Sequence, residues 1–179
     1  FFVRVLGLSA AQVGFALGVS SLVGFLTTVP MGMLADRLGP KRMLVALHLW
    51  RAAWTAMLPL CTNVWTFGVV ASLLAVADCA VTPLTRTLVS DVMGPADRTR
   101  TLAFMRSWRN AGFAVGAAFT TPLVALNDTR AYTAVVLLNA VAYAAAAWVV
   151  ARMPIPGTDT APAHLVPSPA VAPERAAAQ

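Results

Sequence analysis

The sequence predicts an all-α, polytopic membrane protein, and three observations lead to this fold class. Of the 179 residues, 59% are hydrophobic and only 11% are charged, a composition too apolar for a soluble domain of this size. The apolar residues form five runs, each long enough to cross a bilayer as a helix. The basic residues gather mainly in the turns on one side of these runs, as the positive-inside rule describes.

Residues 10–33 form the first predicted span. No charge interrupts this stretch, and about 20 apolar residues suffice for a crossing. Gly14 and Gly18 are four positions apart, a spacing that lets a second helix approach closely. The preceding residues, 1–9, are expected to end an earlier span or to form an outer loop. Because Phe1 is not an initiator, we expect a first helix to be missing from this sequence.

The second and third spans are predicted at residues 43–61 and 64–89, with a short turn at Thr62 and Asn63 between them. Single charged residues interrupt both spans, and a charge at the centre of a membrane helix costs about 2.5 to 3.5 kcal/mol. These interruptions are Arg51 in the second span and Asp78 and Arg86 in the third.

The fourth and fifth spans are predicted at residues 101–126 and 131–151, after a polar loop and a tight outer turn respectively. The helical bundle therefore covers residues 1–152. Residues 153–179 contain six prolines among alanines and too few large apolar residues for a core, which predicts a disordered cytoplasmic linker or tail.

The orientation follows from the distribution of basic residues. We predict that Lys41 and Pro95 are cytoplasmic and that Asn63 and Asp128 are external. The basic residues on the cytoplasmic side are Arg37, Lys41, Arg42, Arg98, Arg100 and Arg152, against Arg4 and Arg130 on the other side.

The turn after the first span carries the most specific pattern in the sequence. It resembles motif A of the major facilitator superfamily, whose pattern is G-x-L-A-D-R-x-G-basic-basic-x-x-L. One position departs from this pattern, because Pro40 stands where the first basic residue is usual. The matching residues are Gly32, Leu34, Ala35, Asp36, Arg37, Gly39, Lys41 and Leu44.

This resemblance implies a transporter that works by rocking two helical halves around a central site. The five spans then correspond to helices 2 to 6 of a six-helix half, or alternatively to helices 8 to 12. In the family, the motif's Asp, here Asp36, contacts the N-terminus of a helix in the other half, and its basic residues reach an acid that corresponds to Asp91. The conformational switch would comprise Gly32, Asp36, Arg37, Gly39, Lys41, Arg42 and Asp91.

Polar residues inside the spans are the candidates for a binding site. Asp78, Thr82 and Thr85 lie on one face of the third span, and Asp78 either binds substrate or protons or forms a structural ion pair with Arg51. The ion pair is favoured, because both residues lie near the middle of consecutive antiparallel helices and therefore at the same depth in the membrane.

On the fourth span, Arg106 and Asn110 share a face and either line the cavity or extend toward the cytoplasmic surface. The antiporter signature of the family on this helix is only half present, since Gly112 and Gly116 occur but Ala117 replaces a proline. Tyr143, on the fifth span, is expected to serve helix packing, with ligand contact as the alternative.

The sequence contains no enzyme, metal or phosphate-binding motif and no basic, aromatic-interleaved patch for nucleic acid. We therefore expect no catalysis, no cofactor and no nucleic-acid partner. The predicted function is secondary transport of a small solute, with efflux as one direction, in a cell membrane. The expected partners are the bilayer, the solute, the missing first helix and a second six-helix half. The alternative is a non-transporting membrane scaffold or sensor with the same fold.

Overall fold

The structure is a computed structural model that describes residues 9–92, 95–125 and 128–154. Within these ranges it confirms the all-α architecture, and a 3₁₀ turn at Leu58–Leu60 precedes the third helix. The helices are α1 (Ala10–Leu38), α2 (Pro40–Met57), α3 (Val64–Val92), α4 (Pro95–Ala125) and α5 (Thr129–Arg152). The predicted tail from residue 155 onward lies outside the described residues.

The junction between α1 and α2 is a single residue. Gly39 adopts a φ of 84°, a conformation that glycine reaches without steric cost, and its amide hydrogen-bonds the carbonyl of Ala35. Pro40 then occupies the first turn of α2, where its missing amide hydrogen costs nothing. The motif that the sequence places in a turn is therefore mostly helical, with α1 continuing to Leu38 and α2 beginning at Pro40 instead of residue 43.

Two pairs of helices make the most extensive contacts, α1 with α3 and α2 with α5, and α2 also packs against α3. Gly24 and Ser20 lie in the α1–α3 contact, where the Ser20 hydroxyl is 3.2 Å from that of Ser72. The Trp50 indole donates a 2.8 Å hydrogen bond to the Leu73 carbonyl, joining α2 to α3. These contacts make α1, α2, α3 and α5 one packed group.

The α4 helix is the exception. It makes sparse contacts with α3 and α5, and every residue from 103 to 119 is exposed. Its exposed side chains include the large apolar residues Phe104, Trp108, Phe113 and Phe119. The described part of the chain therefore leaves one long face of α4 without a packing partner.

Four helical segments are long and apolar enough to cross a membrane: Ala10–Leu38, Pro40–Leu60, Val64–Ser90 and Thr129–Arg152. The α4 helix is not among them, because arginines interrupt its apolar sequence at positions 98, 100, 106 and 109. The membrane crossing expected at residues 101–126 stays a prediction.

Candidate functional site

An ion pair joins α2 to α3. Arg51 Nη2 lies 2.7 Å from Asp78 Oδ1, and the two side chains are 17% and 53% exposed, respectively. Asp78 is the fifteenth of the 29 residues of α3, so the pair lies near the middle of that helix. The structure thus forms the pair that the sequence suggested, while leaving half of the Asp78 side chain accessible.

Tyr143 brings the third helix, α5, to the same place. Arg51 Nη2 also donates a 2.8 Å hydrogen bond to the Tyr143 hydroxyl, and the guanidinium carbon lies 4.1 Å from the centre of the tyrosine ring. The distance is within the range of a cation–π contact. Sequence analysis missed this role, although a tyrosine within a run of alanines was a signal for it. We call Arg51, Asp78 and Tyr143 the Arg51 cluster.

The hydrogen bonding of the cluster and of His48, one turn before Arg51 on α2, is incomplete. Two buried nitrogens, Arg51 Nε and His48 Nδ1, have no hydrogen-bond partner in the part of the chain that the structure describes. Over the same ranges, Asp78 makes one polar contact, through Oδ1. A buried polar group without a partner costs about 1 to 3 kcal/mol, so an optimised structural pair would be expected to satisfy these atoms.

The other predicted cavity residues do not join the cluster. Thr82 is exposed one turn beyond Asp78, and Arg106 and Asn110 are exposed on α4. Across residues 9–92, 95–125 and 128–154, no hydrogen bond or ion pair involves any of these three side chains. They stay candidates on the basis of position alone.

The residues of the predicted switch lie mainly at the junction of α1 and α2, which the distribution of basic residues predicts to be cytoplasmic. Asp36 and Arg37 are exposed there, while the preceding residue, Ala35, is buried in a cluster that includes Met43 and Leu44. Gly32 is exposed, with open space where a Cβ would lie. The other members, Gly39, Lys41 and Arg42, begin or precede α2, whereas Asp91 ends α3 and its side chain lies outside the described residues.

Among the described residues, no three His, Cys, Asp or Glu side chains come together as metal ligands would. The chemistry that the site offers is therefore that of a carboxylate, a guanidinium and a phenol. The guanidinium contacts both of the other two groups.

Comparison with known proteins identifies a family and its relatives. The sequence profile described as "Major Facilitator Superfamily" matches residues 1–177. The chain is similar to the "Multidrug resistance protein MdtH" of Photorhabdus laumondii subsp. laumondii, with 34% identity over 65% of the chain and 29% of that protein. The proteins of the same name from Yersinia enterocolitica and Yersinia pestis are 32% identical over the same shares. The chain thus matches under a third of these relatives' length, and no solved structure matches it significantly.

Proposed function

Because the chain belongs to the Major Facilitator Superfamily, we propose that it forms most of one helical half of a secondary transporter that moves a small solute across a cell membrane by alternating access. Export is the proposed direction, in keeping with the multidrug resistance relatives. The rest of the transporter would be a first helix and a second six-helix half. The share of the relatives that the chain covers, 29%, supports this division.

The observation that carries the proposal is the Arg51–Asp78 pair. Each charge in a membrane interior costs about 2.5 to 3.5 kcal/mol on insertion scales, so ionisable residues there usually serve function. Asp78 is 53% exposed at mid-helix, in a segment apolar enough to span a membrane. A carboxylate kept accessible at that depth suits a site for protons or solute. We propose Thr82, Arg106 and Asn110 as further residues of this cavity.

We also propose that the junction of α1 and α2 switches the protein between states. Asp36 would contact the N-terminus of a helix in the other half, where the helix dipole favours negative charge. Its exposure, together with that of Arg37, leaves it available for such a contact. Arg37, Lys41 or Arg42 would reach Asp91 at the end of α3. Gly32 and Gly39 would provide the close approach and the sharp reversal.

The second candidate function is a scaffold or sensor that keeps the fold without transport. The observation that favours it is the incomplete antiporter signature on α4, with Ala117 in place of a proline. Gly112 and Gly116 remain, but both are exposed with open space around their Cα atoms. Such a protein would bind partners or solutes without moving them.

The test is transport by the purified full-length protein in vesicles with an imposed pH gradient, using a panel of lipophilic cationic and neutral dyes. We expect the parent to move at least one dye and Asp78→Asn to abolish this at unchanged folded yield. Thr87→Val is the matched control, since Thr87 lies on the opposite face of α3 from Asp78 and its hydroxyl donates to the Pro83 carbonyl of its own helix. Binding of dyes without movement across the vesicle membrane would favour the scaffold or sensor.

A further inference from the structure

Arg51 uses one nitrogen for two partners. Its Nη2 donates to Asp78 Oδ1 at 2.7 Å and to the Tyr143 hydroxyl at 2.8 Å. Arginine–carboxylate pairs that are built for strength are commonly bidentate, with two parallel N–H···O bonds. Here the pair is formed through one nitrogen, and Arg51 Nε has no partner within the described ranges. The geometry is that of a pair that can separate.

Separation requires that Arg51 does not become an isolated charge in the membrane. Tyr143 meets this requirement in two ways, through its hydroxyl and through the ring face 4.1 Å from the guanidinium. A cation over an aromatic face gains free energy that increases when water is excluded. Asp78, by contrast, is 53% exposed and can be reached by a new ligand.

We propose that Tyr143 is a positioning residue that retains Arg51 while Asp78 exchanges the guanidinium for another positive ligand. The ligand is either a proton, which neutralises the carboxylate, or the ammonium group of a cationic solute, which replaces Arg51 as its counterion. No covalent bond other than the O–H bond forms, and Arg51 stays charged in both states. This inference rests on the transport function proposed above.

The surroundings of Asp78 contain few other groups that could account for a pH response. The α2 helix contributes Arg51 and His48, α5 contributes Tyr143, and α3 itself contributes Cys79 beside Asp78. The sparsely packed α4 carries Arg106 and Arg109, and α1 has no titratable side chain between Ala10 and Ala35. Asp78 is therefore the one acid among these groups.

The first experiment is the pH profile of transport by the full-length protein carrying Tyr143→Phe, which keeps the ring and removes the hydroxyl. Arg51 Nη2 carries two hydrogens and donates one to each partner, but both acceptors draw on the same positive charge. The bond to Tyr143 therefore strengthens when Asp78 becomes neutral, and Tyr143→Phe removes this gain. Protonating Asp78 then costs more. We expect the half-maximal pH to fall by about one unit, a tenfold loss of proton affinity. If a cationic dye is the ligand, its apparent affinity should weaken about tenfold instead.

Tyr132→Phe, on the same helix, is the matched control and should leave both values unchanged. Tyr143→Leu removes ring and hydroxyl together and should shift the profile at least as far as Tyr143→Phe. A Tyr143→Phe protein with the parent's pH midpoint and dye affinity would overturn the inference, even if its folded yield were reduced. If Asp78→Asn abolished transport while Tyr143→Phe had no effect, the proposed transport function would be supported and only the role of Tyr143 would be rejected.

The second experiment does not depend on transport. A double-mutant cycle of Arg51→Ala and Asp78→Ala, read out as thermal stability in detergent, gives the coupling between the two residues. We expect this coupling to be larger in the Tyr143→Phe background than in the parent, because Arg51 then lacks its alternative partner. Equal coupling in the two backgrounds would overturn the role of Tyr143 whether or not the protein transports any of the dyes.

Discussion

Gly24 lies where α1 is in tight contact with α3. A Cβ added there would lie 2.8 Å from the Ala75 carbonyl oxygen and 3.0 Å from Cys79 Sγ. The first of these neighbours is backbone, which cannot move without shifting the helix. The α1–α3 contact therefore requires glycine at this one position.

We predict that Gly24→Ala destabilises the protein by about 1 to 3 kcal/mol, the usual cost of overpacking a tight contact. Gly18→Ala on the same helix is the control, because open space surrounds Gly18, and alanine favours a helix by about 1 kcal/mol over glycine. Thermal unfolding in detergent compares the two variants. Equal stability of Gly24→Ala and Gly18→Ala would mean that α1 and α3 do not approach as described.

These two glycines also show what the sequence could predict about packing. The Gly14 and Gly18 pair has the spacing of a helix contact, yet neither has a neighbour within 4 Å where a Cβ would lie, whereas the isolated Gly24 is in tight contact. Spacing indicates that a close approach is possible, but it does not identify the partner helix or the depth. The Arg51–Asp78 pair was predictable because unpaired charges in a bilayer are costly. The bond to Tyr143 was not, since a tyrosine can be satisfied in many ways.

At the scale of whole helices, the order and number of elements follow from hydrophobic runs and turn residues, and their ends follow from caps. Ser9 and Gln12 form a capping box that begins α1, with hydrogen bonds of 3.2 and 2.9 Å between each side chain and the other's amide. The end of α1 differed from expectation because charged residues such as Asp36 and Arg37 are compatible with a helix outside the membrane. Hydropathy predicts where the chain leaves the bilayer, whereas the end of the α1 helix is set by the turn at Gly39.

The α4 helix is the element whose membrane crossing most needs a test. It is not among the helices apolar enough to cross a membrane, whereas the predicted topology places Pro95 and Asp128 on opposite sides. We predict that single cysteines at positions 41 and 95 react with an impermeant reagent only after cell lysis, and that those at 63 and 128 react in intact cells. The background should lack Cys61 and Cys79. Reaction of positions 95 and 128 from the same side would show that α4 does not cross.

At the scale of the whole molecule, the contact proposed for Asp36, the exposed acid at the α1–α2 junction, requires a helix from a second half. We predict that Asp36→Asn in the full-length protein lowers transport while leaving folded yield unchanged, because one charge–dipole contact contributes about 0.3 to 2 kcal/mol to one state. Asp97→Asn is the control, since Asp97 is also an exposed acid, in the first turn of α4, and is not part of the proposed switch. Equal transport by the Asp36→Asn variant and the parent at matched expression would contradict the switch.

The exposed face of α4 leads to the last prediction. Six large apolar residues lie exposed between positions 103 and 119, on the same helix as Arg106 and Arg109, which are exposed as well. Lipid can cover the apolar side chains, but it does not provide partners for two arginines deep in a helix. Further protein would provide them, which agrees with a chain that matches 29% of its relatives' length. Because a transport site between two halves needs both halves, residues 1–179 alone should move no solute in reconstituted vesicles, whereas the full-length protein should. Accumulation of any dye by the purified chain of 179 residues would show that the site is complete within it.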